Sequence, residues 1–288
     1  MVTWRLLPPV DGPGAFHMAA DAALVEAVRE GRSAPVLRFY RWTPACVTLG
    51  KFQPAEGNVQ LENCARLGVD VVKRPTGGRA ILHAQEVTFS IIIAEQDLPD
   101  AGSSIMDSYR VLGAALVNGL RRLAVPAELV DYHAQSRSGD PTSVMSTGNP
   151  ACFAAKARCD LMVHGKKIIG SAQMRKTGMI LQQNSLPLAI DFPLWDEVFY
   201  RSDWEAVARS GATDLYTAAG RHVAYDEVVS ALCAGFTAEL DADLVLDALS
   251  EAELARTQAL MPEYSILRST TMTYTHRQGM PSTHPAQQ

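Results

Sequence analysis

The chain has 288 residues, of which 47% are hydrophobic and 20% are charged. This composition is typical of a globular protein and excludes a disordered, collagen-like or coiled-coil chain. The formal net charge of -5 argues against general binding to nucleic acid or to anionic membranes. The first residues contain no continuous apolar segment and no cleavage pattern, so we expect no signal peptide, no membrane span and a cytoplasmic protein.

The first half of the chain predicts strands and helices in mixed order. Residues 1–10 alternate weakly and predict an opening strand, and residues 15–30 have apolar residues at helical spacing that ends before Gly31. Segments rich in β-branched and aromatic residues predict further strands at 36–42, 45–52, 69–74 and 81–94. Amphipathic spacing predicts helices at 58–68 and 104–123.

The second half begins with a polar loop, predicted at 133–150, and continues with three strands within 159–190 that include a hairpin at His164–Gly165. Helices are predicted from 225 onward, the last of them opening with a capping box at Ser250. Because the order lacks a regular βαβ alternation, it predicts the α+β class: a mixed, largely antiparallel β-sheet flanked by helices. We expect one catalytic domain over 1–268, with a helical C-terminal portion at 225–265 and a flexible tail at 269–288.

The segment KRPTGGRAILH, residues 73–83, is the most informative for function. Gly77 and Gly78 permit positive φ and close backbone approach, so their N–H groups are available to a ligand oxygen. Arg74 and Arg79 add charge, and His83 lies on the following strand. Taken alone, the pattern fits a plain glycine turn about as well.

The segment HGKKIIGSAQ, residues 164–173, presents two adjacent lysines on a predicted strand. Side chains alternate along a strand, so one of Lys166 and Lys167 can face a site while the other is solvated. The small residues Gly170, Ser171 and Ala172 suit the close passage of an acyl chain or of backbone. An exposed basic hairpin is the simpler interpretation of this segment alone.

Five cysteines are present, with no CxxC pair, so we expect neither a zinc ribbon nor a disulfide framework. Cys152 lies at a loop boundary and is a nucleophile candidate if a cation favours its thiolate. We assign three other cysteines to the core, namely Cys46, Cys64 and Cys233. Cys159 precedes a predicted strand and is ambiguous. For any single cysteine, a small buried apolar residue is the commoner role. No HExxH, P-loop or GxSxG pattern occurs, so we expect no metal site and no cofactor.

Taken together, these segments resemble the biotin/lipoate A/B protein ligase superfamily over residues 15 to 265. RWTPACVTLGKFQ at 41–53, KRPTGGRAILHAQEVTFSI at 73–91 and HGKKIIGSAQMRKTGMILQQNSLPL at 164–188 carry the resemblance. Within the superfamily the chain is most similar to the M-type octanoyltransferases, since TGGRA is followed by His83 and ACF contains Cys152. The fold implied is the biotin/lipoate ligase-like catalytic domain.

The resemblance implies that Cys152 accepts octanoate from acyl carrier protein as a thioester, with Lys167 nearby favouring the thiolate. The acceptor implied is a lysine of a lipoyl domain or of a glycine cleavage H-type protein. The residues implied to bind substrate are Arg74, Gly77, Gly78, Arg79, His83, Gly170, Ser171 and Ala172. Among them, backbone N–H groups near Gly77 and Gly78, or near Gly170, would hold the oxyanion. Lys73, Arg74 and Arg79 would meet the acidic carrier or its phosphate.

Three alternatives stay open at this point: an ATP-dependent lipoate–protein ligase, a lipoyl or octanoyl amidotransferase, and a non-catalytic binding homologue. One departure from the resemblance bears on substrate preference. Gln183-Asn184 stands where the relatives usually carry a His-Gly pair.

Overall fold

The computed structural model describes residues 2–99, 104–131, 159–200 and 211–267. Twelve strands in this part of the chain form two sheets. The large sheet has eight strands in the order β11-β1-β2-β6-β10-β9-β8-β7. Its strands are β1 (Val2–Gly12), β2 (Val36–Trp42), β6 (Glu86–Ala94), β7 (Glu128–Asp131), β8 (Cys159–Val163), β9 (Lys166–Lys176), β10 (Met179–Pro187) and β11 (Ala242–Leu246).

The small sheet has four strands in the order β12-β4-β3-β5. They are β3 (Cys46–Leu49), β4 (Asp70–Lys73), β5 (Ile81–His83) and β12 (Ser265–Leu267). In the described residues β1 runs parallel to β2 and β11, and β3 runs parallel to β4, whereas the other pairs are antiparallel. The predicted class, a mixed and largely antiparallel sheet flanked by helices, is confirmed.

The helices flank these sheets, and their buried faces pack against the strands to form the core. They are α1 (Gly14–Arg29), α2 (Leu61–Leu67), α3 (Ile105–Arg122), α4 (Phe192–Val198), α5 (Leu215–Ala219), α6 (Tyr225–Leu240) and α7 (Glu251–Tyr264). Helices α3 and α6 pack together and cover one face of the large sheet, where Phe89, Leu116 and Phe236 are fully buried. The two helices approach closely because Gly235 has no side chain: a Cβ there would lie 2.3 Å from the Ala115 carbonyl oxygen. No helix in the described ranges is long and apolar enough to span a bilayer.

Several short elements escaped the sequence patterns. Strands β7, β11 and β12 and helices α4 and α5 are three to seven residues long, which is too short for a period to be recognised. Strand β11 interrupts the C-terminal portion that the pattern predicts as helical, and it pairs with β1 at the sheet edge. The predicted loop at 133–150 and the predicted tail at 269–288 lie outside the described residues.

The other face of the large sheet contains a buried polar cluster beneath α1. Asp21 accepts hydrogen bonds from Arg38 Nη1 and from Ser90 Oγ, both at 2.8 Å. His17 Nδ1 lies 2.9 Å from Arg38 Nη2, and His17 Nε2 lies 2.8 Å from the Arg41 carbonyl oxygen. Since a guanidinium only donates, Nδ1 is the acceptor and Nε2 carries the proton. Burial, and then the charge of Arg38, lower the pKa of His17 well below its ordinary value.

This lowered pKa predicts a loss of stability in mild acid. Below about pH 6.5, His17 takes up a proton in the unfolded chain but stays neutral in the folded chain. The free energy of unfolding is therefore highest above that pH and decreases as the pH falls below it. We expect His17→Phe to reduce the slope of unfolding free energy between pH 5 and 6.5 by up to about 1.4 kcal/mol per pH unit. Urea unfolding at several pH values measures this slope. Substitution of the exposed His222 is the control and should keep the wild-type slope. An unchanged slope in His17→Phe would contradict the prediction.

Candidate active site

A pocket lies between the two sheets and is closed on one side by α1; we call it the central pocket. It is lined by residues from both sheets and from α1, namely Met18, Tyr40, Trp42, Thr48, Arg74, Ile81, His83, Gly170, Ala172, Gln183, Asn184 and Ser185. Four of the residues predicted to bind substrate are therefore brought together here: Arg74, His83, Gly170 and Ala172. They come from segments almost 100 residues apart in sequence.

Strand alternation separates the three small residues that the sequence analysis grouped. Gly170 and Ala172 line the central pocket. Ser171 is not among the lining residues, and its hydroxyl donates a hydrogen bond to Asn184 Oδ1 at 2.8 Å. Positions 170 and 172 therefore face the pocket and position 171 faces away, as the two-residue period of a strand requires.

Arg74 holds the glycine segment in place beside the pocket. It is only 4% exposed, and its guanidinium donates to the carbonyl oxygens of Gly77 at 2.6 Å and Arg79 at 2.8 Å. Gly78 has a φ of +94°, a conformation that favours glycine. This arrangement differs from the expected contact between Arg74 and a protein partner, because the buried guanidinium binds the loop itself. Gly77, Gly78 and Arg79 form this loop and are not lining residues of the central pocket.

His83 is fixed by hydrogen bonds on both ring nitrogens. Its Nδ1 lies 2.7 Å from Glu86 Oε1, and its Nε2 lies 2.8 Å from Thr48 Oγ1. Arg74 Nη1 donates to Thr48 Oγ1 at 3.2 Å, so the Thr48 hydroxyl proton remains available for His83 Nε2. The Nδ1 proton of His83 is donated to the Glu86 carboxylate. The ring stacks on Trp42, with 4.2 Å between ring centroids.

Glu86 is a buried carboxylate at the base of this arrangement. Ser185 Oγ donates to its Oε2 at 2.7 Å, and the Thr88 hydroxyl donates to its Oε1. Burial by itself would raise the pKa of Glu86, but the interactions with His83 and these two hydroxyls hold it below its ordinary value. Glu86 therefore stays ionised and orients His83 in the pocket wall.

Lys167 lies at the start of β9 and is not a lining residue of the central pocket; a register irregularity between Lys167 and Ile169 interrupts the alternation that places Gly170 and Ala172 in the pocket wall. The Lys167 side chain is 4% exposed, and its Nζ lies 2.6 Å from Asp160 Oδ1 on the neighbouring strand β8. Lys166, by contrast, is exposed. A buried ammonium requires a partner of opposite charge, and Asp160 supplies it. The motif HGKKIIGSAQ contains Lys167, whereas no sequence motif marks Asp160.

Burial makes three of the four cysteines within the described residues poor nucleophiles at neutral pH. Burial raises the pKa of Cys46 well above its ordinary value, and it raises the pKa values of Cys64 and Cys233 to about 11. Cys159 is buried. Cys152, the predicted nucleophile, lies outside the described residues.

The pocket residues that sequence reasoning missed carry a recognisable signal. Strand β10 is buried throughout, yet it contains four consecutive polar residues, Gln182 to Ser185. Buried polar side chains require hydrogen-bond partners, so such a run in a buried strand indicates a polar network or a site. In the structure, three of these four residues line the central pocket.

Comparison with known proteins identifies the family. Residues 13–237 match the model of the lipoyl protein ligase A/B catalytic domain. The octanoyltransferase LipM of Kyrpidia tusciae is 37% identical over 275 residues, which covers 92% of this chain and 97% of that protein. The octanoyltransferase LipM of Symbiobacterium thermophilum is 37% identical over 264 residues, covering 90% and 94%, respectively.

Solved structures agree with this result. A lipoate-protein ligase A bound with ATP has a TM-score of 0.72 at 26% identity, covering 91% of this chain and 95% of that one. A putative lipoate protein ligase from T. acidophilum with bound lipoic acid has a TM-score of 0.70 at 26% identity, covering 91% and 96%. From the family match, the sequence relatives and the shared fold together, we conclude that this chain belongs to the lipoyl protein ligase A/B family.

Proposed function

We propose that this protein is an octanoyltransferase that moves octanoate from acyl carrier protein to a lysine of a lipoyl domain, through a thioester on Cys152. Its sequence relatives are octanoyltransferases that match it over nine-tenths of their length. The single structural observation that carries the mechanism is the buried Lys167–Asp160 pair at the start of the strand that lines the central pocket.

The proposed reaction has two transfers. The Cys152 thiolate attacks the carbonyl carbon of the donor thioester, the bond to the carrier's sulfur breaks, and that sulfur leaves as a thiol after taking up a proton. The lysine amine of the acceptor then attacks the acyl-Cys152 carbonyl, forming an amide and releasing the Cys152 thiol. A thioester is converted to an amide, which is downhill, so this route requires no ATP.

Lys167 supplies the charge that favours a thiolate at Cys152. A nearby ammonium stabilises a thiolate relative to a thiol. Asp160 holds this ammonium at a defined position on the strand, since a buried lysine without a partner is strongly disfavoured. The pair therefore fixes the position of the ammonium, and Asp160 balances part of its charge.

The central pocket would hold the acyl chain. Met18, Trp42 and Ile81 provide apolar surface, and Gly170 and Ala172 carry no bulky side chain on β9. The pocket volume is about 20 Å³, so its walls must separate to admit the chain. In its walls, His83 and Ser185 are hydrogen-bonded to Glu86, whereas the buried Tyr40 hydroxyl has no hydrogen-bond partner among the described residues. An apolar chain in this pocket therefore leaves His83 and Ser185 hydrogen-bonded, which keeps the cost of displacing water low.

Intact-mass analysis tests the proposal. Incubation of the protein with octanoyl acyl carrier protein and no ATP should give one octanoyl adduct, which should disappear when an apo lipoyl domain is added and octanoylated. Product formed only from free lipoate and ATP would contradict the proposal and support the ligase. An adduct formed only from an octanoylated lipoyl protein would contradict the proposed donor and support the amidotransferase.

A further inference from the structure

The two ends of the central pocket can be distinguished along β9. Gly170 pairs with Ser185 of β10, and Ala172 pairs with Gln183. Since a strand rises about 3.3 Å per residue, the first of these pairs lies about 10 Å from Lys167 and the second about 17 Å. The pair Ala172–Gln183 therefore marks the end of the pocket that is distant from Lys167.

Gln183 is locked in place at this distant end. Its Nε2 donates to Asp21 Oδ2 at 2.8 Å, and its Oε1 accepts a hydrogen bond from Thr76 Oγ1 at 2.7 Å. Its Nε2 also lies 3.4 Å from Met18 Sδ. The side chain is thus tied to α1 on one side and to the glycine segment on the other. It is 6% exposed and cannot rotate away without breaking these bonds.

The partners of Gln183 are themselves buried. Asp21 is fully buried and is bonded to Arg38 and Ser90, and Thr76 is also fully buried. Beyond Gln183 on the same face of β10 lies Leu181, which lines a second, open cleft of about 360 Å³ together with Met174, Lys51 and other residues. Arg74 lines both the central pocket and this cleft, and the Ala172–Gln183 pair lies between them along β9 and β10. We call Arg74 and this pair the partition.

We infer that Gln183 is a specificity-determining residue that sets the length of the acyl chain. The inference rests on the proposed function: the carbonyl end of the chain lies toward Lys167, and its terminal methyl group abuts the partition. A longer chain must push Gln183 aside and break its hydrogen bonds to Asp21 Oδ2 and Thr76 Oγ1. A shorter chain buries less apolar surface in the pocket. Both effects disfavour chains that differ from the length of the pocket.

The test compares two matched substitutions, Gln183→Ala and Gln182→Ala. Gln182 is the preceding residue of the same strand, is also buried, and bonds to Gln173 and Asn184 instead of lining the pocket. The measured quantity is the rate of acyl-adduct formation from acyl carrier protein loaded with six-, eight-, ten- or twelve-carbon chains. We expect Gln183→Ala to raise the rate for ten- and twelve-carbon chains, relative to eight, by about tenfold or more. We expect Gln182→Ala to keep the wild-type ratio.

A second substitution works in the opposite direction. Ala172→Val adds volume at the same end of the pocket and should lower the eight-carbon rate relative to the six-carbon rate by about tenfold. This variant carries the test if Gln183→Ala does not fold, as judged by circular dichroism. If the wild-type protein takes up no acyl chain, the proposed function itself fails. If it is acylated and the folded variants keep the wild-type ratios, the assignment of Gln183 alone is wrong.

Discussion

We expect Cys152→Ala to form no octanoyl adduct and to transfer octanoate at a rate lower by roughly a thousandfold or more. Loss of the nucleophile removes the covalent intermediate entirely, and what remains is uncatalysed aminolysis on a bound donor. The measurements are intact mass after exposure to octanoyl acyl carrier protein and the rate at which an apo lipoyl domain is octanoylated.

Cys159 provides the control for this prediction. It lies seven residues after Cys152 in the sequence and directly before Asp160, the ion-pair partner of Lys167. It is therefore the cysteine to compare with Cys152 as a nucleophile. It is also buried. Cys159→Ala should retain the adduct and the transfer rate within a few-fold. Wild-type transfer by Cys152→Ala, or loss of the adduct in Cys159→Ala alone, would exclude the assignment of Cys152.

The second large effect concerns the pair of Lys167 and Asp160. Replacing Lys167 alone breaks the buried ion pair with Asp160, which costs about 3–5 kcal/mol of stability and obscures any catalytic effect. The double substitution Lys167→Met with Asp160→Asn removes both charges and keeps similar side-chain volumes. We expect this variant to fold and to alkylate at Cys152 with a pH midpoint that is higher by about one unit or more, because the ammonium no longer favours the thiolate.

The pH profile separates an electrostatic role from a structural one. If Lys167 acts through its charge, the double variant reaches the wild-type alkylation rate at high pH. At neutral pH its alkylation rate is lower by about tenfold for each pH unit by which the midpoint rises. Lys166→Met, at the exposed neighbouring position, should leave the midpoint unchanged. A double variant with the wild-type midpoint would show that the ammonium does not act on the thiol.

Local patterns were sufficient for the longer elements of the fold. Strands β2, β6, β9 and β10 and helices α1, α3 and α6 combine a clear period with enough length to be recognised. Strand β11 could not be found in this way, because its pairing with β1 depends on a partner 240 residues away. The parallel direction of that pair is likewise set by the packing of the intervening elements.

For the candidate site, too, the sequence shows the types of residue and the tertiary structure shows their contacts. The types of residue at Arg74, His83, Cys152 and Lys167 are visible in the sequence because short motifs contain them. Their contacts are not visible, since Arg74 binds its own loop and Lys167 binds Asp160 across two strands. Gln183 shows the difference most clearly: the sequence reveals only an unusual pair of polar residues, whereas its position depends on α1, β10 and the glycine segment together.

The amino-acid sequence by itself determined the fold class, the family resemblance and the kinds of chemical group available, because periodicity and short motifs are local properties. The tertiary structure alone decided which of those groups share a pocket, which charge is neutralised by a buried partner, and where the pocket ends. These are questions of distance and burial between segments far apart in the chain, and hydrogen bonds and ion pairs act only over a few ångströms.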